Sequence, residues 1–187
     1  MKACLTACWL MFALLACGCD QQASRMATER GVRLKYFNAV QARDHFDAAI
    51  ELDPANAKAY FSRAEIWMRE GAYDAALADL DAAIKYDEAG EFPFYTYNAK
   101  AWLRATCKES RIRDGKEAIE LAEKACELSD YSNPMILDTL AAAYAEAGNF
   151  SQAVHWQARA IELADEDLRQ LIGFRLPLFQ AKKPYRE

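Results

Sequence analysis

Four short stretches recur along this chain at nearly even intervals: AAIELDP from Ala48, AAIKYDE from Ala82, KACELSD from Lys124 and RAIELAD from Arg159. Their alanines Ala49, Ala83, Ala125 and Ala160 stand 34, 42 and 35 residues apart, and a second alanine precedes each by seven residues, at Ala42, Ala76, Ala118 and Ala153. A period near 34 is that of stacked helix pairs, in which small residues mark the places where two backbones close to contact and large apolar residues fill the gaps between pairs. The pattern predicts an all-α chain, an α-α superhelix of about four helix pairs. With 53% hydrophobic and 27% charged among 187 residues, the chain has enough apolar material for a folded domain.

The residues between the alanines carry a more specific signal. From Ala57 to Glu88, Tyr60, Ala64 and Trp67 hold aromatic, small and aromatic places of a first helix, Gly71 and Tyr73 make the turn, and Ala76, Leu80 and Ala83 face inward from a second. Asp138 to Leu163 repeats this with Leu140, Ala141 and Tyr144, then Gly148 and Phe150, then Ala153 and Ala160. Gly71 and Gly148 each follow a first helix, where a left-handed residue lets the chain reverse. In these two stretches the chain resembles the tetratricopeptide repeat family, and the resemblance extends over roughly Gly31 to Leu163.

On that alignment the array occupies residues 29–165, as repeats over 29–54, 57–88, 94–130 and 134–165, followed by a capping helix and tail over 166–187. The first repeat is degenerate: its second helix is regular and closed by Pro54, but its first, around RGVRLKYFNAV, is one residue short between Gly31 and Ala49. The third carries eight surplus residues, divided between the linker EAGEFP (about three) and the turn CKESRIRDG (about five), since added residues are tolerated best in loops. The register of its first helix is open. Aligning Ala101 with Ala64 puts Lys100 and Arg104 at buried places, as a bacterial repeat subtype with leucine there would imply, whereas aligning Ala99 buries Tyr95 and Trp102 and avoids burying charge. After the last repeat, Leu168, Leu171, Ile172 and Leu176 recur at helical spacing, as suits the cap that a solenoid end needs, and Pro177 is expected to end or kink that helix.

Residues 1–16 read as a signal peptide: Lys2, then an acid-free apolar run from Ala3 to Cys17 that is too short to span a bilayer. The tetrad Leu14–Cys17, LLAC, resembles the lipobox of bacterial lipoproteins. That resemblance implies cleavage before Cys17 and lipidation of its thiol, Cys19 being the alternative, and hence anchoring to a membrane surface with no helix across it. Residues 17–28, polar and small, then read as a tether. Removal of residues 1–16 takes away one charged residue, Lys2, and makes the net charge −6. Gly18, rather than an acidic residue, after the cysteine implies the outer membrane by resemblance to enterobacterial sorting.

Chemistry is sparsely represented. His45 and His155 have no metal-ligand companions at the usual spacings, and no phosphate-binding loop, nucleophile elbow or dinucleotide fingerprint occurs. No cofactor or metal is expected. The CGC stretch at Cys17–Cys19 offers no metal site once Cys17 carries lipid. With 23 basic against 28 acidic residues, there is no field to attract nucleic acid. Cys107 and Cys126 fall ~18 Å apart along antiparallel helices, against the ~7 Å between α-carbons that a disulfide tolerates, and read as two buried small hydrophobes. Cys19 is the more reactive thiol. DED at Asp165–Asp167 reads as favourable charge at a helix start, RIR at Arg111–Arg113 as an exposed turn and KKPYR as a solvated tail.

In tetratricopeptide arrays first helices line a trough that receives an extended segment or helix of a partner. The resemblance thus implies a protein or peptide ligand, no small-molecule substrate, and trough positions at Lys58, Phe61, Glu65, Met68 and Arg69, at Asn98 and Trp102, and at Asp138 and Glu146. The basic and Asn residues of a carboxylate clamp are not evident. The expected function is that of a membrane-anchored, non-enzymatic adaptor facing the periplasm of a bacterial envelope. The alternative is a pilotin-like or barrel-assembly-like lipoprotein that assists an outer-membrane complex; an enzyme would need an unfamiliar site in the degenerate first repeat.

Overall fold

The computed structural model describes residues 2–87 and 93–187, with side chains from Gly18 onward, Pro93 excepted. The expected linker therefore lies, but for Pro93, outside the described residues, and so does the side chain of Cys17. Regular structure among the described residues is helical throughout. The chain divides into two compact units, Met1–Glu88 and Ala89–Glu187.

In the first unit α1 (Lys2–Leu34) pairs with α2 (Ala39–Leu52), and α3 (Ala57–Glu70) with α4 (Tyr73–Tyr86); α2 also packs on α3. Local chemistry sets the boundaries. Asn38 and Asn56 cap α2 and α3, their side chains accepting the Gln41 and Ala59 backbone N–H groups at 3.1 and 2.9 Å. Gly71 ends α3 with φ 75°, and the Ala72 N–H reaches back to the Trp67 carbonyl at 2.9 Å. Ala42, Ala49, Ala76 and Ala83 are all buried, as contact points between helices must be.

The first pair begins earlier than the sequence suggests. The stretch read as a tether is helical from Gly18 on, and Ser24 and Thr28 are buried on it. Ser24 Oγ donates to the Ala49 carbonyl at 2.6 Å, and Asn56 Nδ2 donates to Ser24 Oγ and Thr28 Oγ1 at 2.7 and 3.0 Å. Small polar side chains pack between helices when every donor finds an acceptor, so polarity alone gave no sign of burial. The RGVRLKYFNAV stretch is accordingly not a helix of its own: α1 ends at Leu34, and Lys35–Asn38 form the turn. Gly31 sits where a Cβ would lie 2.5 Å from the Phe46 ring, which is how a fully buried Phe46 fits between α1 and α2.

In the second unit α5 (Pro93–Thr106) pairs with α6 (Gly115–Leu128), and α7 (Pro134–Glu146) with α8 (Phe150–Leu163). The two first helices, α5 and α7, pack directly on each other, and α6 packs on α7. Ala118, Ala125, Ala153 and Ala160 are buried in one core with Leu137, Leu140 and Ala141. Gly148 ends the second hairpin's first helix with φ 80°.

The open register of α5 resolves to Ala101 in the place of Ala64: both are fully buried, while Tyr95 is half exposed. The charges that this brings inward share one carboxylate, Glu117 of α6, at 2.6 Å from Lys100 and 2.7 Å from Arg104. The long turn 107–114 is also more ordered than an exposed loop. Ile112 is buried, and Arg113 donates to the Cys107 carbonyl at 2.7 Å and pairs with Glu146 at 2.9 Å, which leaves Arg111 as the exposed arginine of RIR. Cys107 and Cys126 are buried and unbonded to each other.

The cap comes in two pieces, α9 (Glu166–Gly173) and α10 (Arg175–Gln180), the latter packed on α8. Asp165 caps α9, accepting the Leu168 N–H at 2.9 Å. The break falls at Phe174, and Pro177 stands inside the first turn of α10, where its missing N–H removes no helical bond. Ile172 and Phe179 are fully buried, whereas Leu171 is 58% exposed, so the inward stripe is narrower than leucine spacing suggests.

Candidate functional site

In the first unit all five trough positions lie on α3. Lys58 and Arg69 are exposed, and Phe61, Glu65 and Met68 are half-buried. Glu65 and Arg69, one turn apart, reach the same corner at the end of α1: Glu65 pairs with Lys35 at 2.5 Å, while Arg69 donates to the Lys35 carbonyl at 2.6 Å and lies 5.3 Å from the Tyr36 ring centre. Tyr36 and Phe37 are 71% and 89% exposed beside them. The sequence missed a polar cluster on the second-helix side. Asp79, 5% exposed, takes two bonds from Arg63 at 2.8 and 2.7 Å and one from Trp67 Nε1 at 3.1 Å, and Arg63 also pairs with Asp47 at 2.5 Å. The hydrogen bonds to Asp79 hold the Arg63 guanidinium above its ordinary pKa. Trp67 is thus half-buried, with the Arg43 guanidinium 4.6 Å over its ring, rather than a plain core aromatic.

In the second unit three of the four trough positions, Trp102, Asp138 and Glu146, meet the chain's own later residues. Trp102 is half-buried, with the Arg175 guanidinium 4.9 Å from its ring centre and its Nε1–H donating to the Glu187 carboxylate at 2.8 Å. Asp138 is not on an open surface: it is 2% exposed, paired with Arg175 at 2.8 Å and accepting from Gln157 Nε2 at 2.8 Å. Burial pushes the Asp138 carboxyl above the usual range, against the pull of Arg175 and Gln157. Glu146 bridges Arg113 and Arg186. Asn98 is half-buried on α5, and its buried carbonyl oxygen takes no hydrogen bond from the described residues. Tyr185–Glu187 are therefore not part of a solvated tail, while Lys182 and Lys183 are exposed. Tyr185 packs against Trp102 and Phe174, with ring centres 5.9 and 5.6 Å apart. Nothing in KKPYRE alone signals this, because its partners lie in a distant part of the sequence.

His45 is half-buried, and exposed His155 stands edge-on to Trp156 at 5.0 Å. No described helix is long and apolar enough to cross a membrane.

These faces are built from helix hairpins with buried alanines at their contacts, two of which turn at left-handed glycines, Gly71 and Gly148. The chain is 31% identical over 134 residues to human tetratricopeptide repeat protein 6, across 68% of this chain and 22% of that relative's length. Over that stretch this chain is similar to a tetratricopeptide repeat protein, and it spans about a fifth of that relative's length. No protein-family model matches it. α1, α3, α5 and α7 are the first helices of their pairs, and the α3 corner and the α5–α7 face lie on them.

Proposed function

We propose that this protein is a tetratricopeptide-type adaptor that binds a protein segment on its first-helix faces, without chemistry of its own, and that it is held to a membrane by lipid on Cys17. The observation that carries the binding role is the direct packing of α5 on α7, with Trp102 and Glu146 each holding one of two consecutive residues, Glu187 and Arg186. The anchor rests on the LLAC tetrad behind the apolar run Ala3–Cys17, and the placement, a bacterial envelope with the domain facing the periplasm and the outer membrane favoured, rests on that tetrad and Gly18. Affinity capture from detergent-solubilised membranes tests the adaptor role, with an enriched protein lost on Arg69→Ala as the supporting result. Capture dominated by a single envelope channel would shift the role to assembly of that complex, and unchanged capture by the variant removes the α3 corner from it. Cys17→Ser abolishes metabolic labelling with palmitate; retained label contradicts the anchor.

A further inference from the structure

Residues 185–187 lie against the first-helix face of the second unit, tied at three successive positions. Tyr185 stands 5.9 Å from the Trp102 ring and 4.7 Å from the Arg175 guanidinium. Arg186 pairs with Glu146. The Glu187 backbone N–H donates to the Thr106 carbonyl at 2.9 Å, while its carboxylate accepts from Trp102 Nε1 at 2.8 Å.

We infer that the α5–α7 face is a binding site for an extended aromatic–arginine–acidic segment of a partner protein, and that residues 182–187 occupy it as a displaceable internal ligand. The inference rests on the reading of this face as protein-binding and specifies its ligand. The ties differ in kind from those beneath them. Tyr185 is half-buried and Arg186 and Glu187 are exposed, whereas Asp138, Arg175 and Gln157, which position the floor of the site, are buried. The upper layer can leave while the floor stays organised. The face also supplies a complete set of complements in order: an aromatic and guanidinium surface for a ring, a carboxylate for a cation, a main-chain carbonyl for an N–H and an indole donor for an acid. The Thr106 carbonyl needs a main-chain N–H presented to it, and a ring, a cation and an acid at consecutive positions satisfy the rest. A segment tethered within the same chain competes at an effective concentration on the order of millimolar, so a partner meets a site already occupied.

The test titrates a fluorescein-labelled, amidated peptide of sequence Ala181–Glu187 into three proteins: the full chain, the chain ending at Ala181, and the full chain with Arg186→Glu. The inference expects binding at least about tenfold tighter to the shortened chain than to the full chain, a gain in the same direction for Arg186→Glu, and no binding when the peptide itself carries Arg186→Glu. The Trp102 indole N–H resonance shifts on shortening and returns when peptide is added, which also reports that the shortened chain is folded. Equal affinity for the full and shortened chains, binding to neither, or undiminished binding of the charge-reversed peptide overturns it. A full chain that dimerises through these residues, and becomes monomeric when they are removed, overturns the internal placement. The titration needs no cellular partner, so its failure leaves the adaptor role standing, and a failed membrane capture leaves the titration interpretable.

Discussion

Asp138 of α7 and Arg175 of α10 form a buried ion pair at 2.8 Å, with Gln157 of α8 completing the carboxylate's shell at 2.8 Å. It joins the last helix pair to its cap. A buried pair of this kind adds little net stability, but losing one member strands the other. Asp138→Ala, which leaves the Arg175 charge without its partner, should therefore cost about 3–5 kcal/mol in urea unfolding, and Asp138→Asn distinctly less.

The same pair sets a pH dependence. Burial raises the Asp138 pKa in the folded state, so the fold holds a proton there that the unfolded chain has already released. That contribution is complete below the unfolded-state pKa and is lost as pH rises through the raised folded-state value. The stability difference between the native protein and Asp138→Asn, followed by urea titration from acid to neutral pH, should shift in favour of Asn as pH increases.

Gly31 and Phe46 should behave as one unit. Because a Cβ at residue 31 would stand 2.5 Å from the ring, Gly31→Ala should destabilise by about 1–3 kcal/mol through overpacking. Phe46→Leu, costly alone, should cost less on the Gly31→Ala background, a coupling that a double-mutant cycle in urea measures directly.

Trp67 and Arg69 should separate stability from binding. Trp67→Ala removes a large half-buried ring and leaves Asp79 short of a donor, a loss of about 3 kcal/mol. Arg69 is exposed but bonded to the Lys35 carbonyl, and Arg69→Ala should cost about 1 kcal/mol in thermal melts, well below Trp67→Ala, while weakening partner capture.

Thiol reactivity should rank by burial. Cys126 is fully buried and its pKa is pushed up to about 12, chiefly by desolvation, and Cys107 is 3% exposed. Native iodoacetamide treatment at pH 8 with peptide mapping should modify exposed Cys19 first and spare both until the chain is unfolded.

The hairpin architecture was legible because its causes are local and repeated: buried alanines at matching places in every helix pair, and in two pairs a glycine whose left-handed backbone turns the chain. Polar placement was not, because each case depends on a partner elsewhere in the sequence. Burial cost argued against Lys100 and Arg104 facing inward, yet Glu117 on the next helix receives both. Ser24 and Thr28 passed for a tether because Asn56, which satisfies them, lies beyond a whole helix. Of the trough positions, Glu65 and Arg69 meet at one corner, while Trp102 and Glu146 meet the chain's own residues 186 and 187; a periodic pattern places residues on a face but does not reveal what covers it.

Site-specific photocrosslinking tests the role of the first-helix faces most directly, with the crosslinker placed at Phe61 of α3 or, for comparison, at exposed Ala78 of α4 and Glu120 of α6. A protein adduct formed from Phe61 and absent from the two second-helix positions is the expected result. Adducts from Ala78 or Glu120 with none from Phe61 would contradict it.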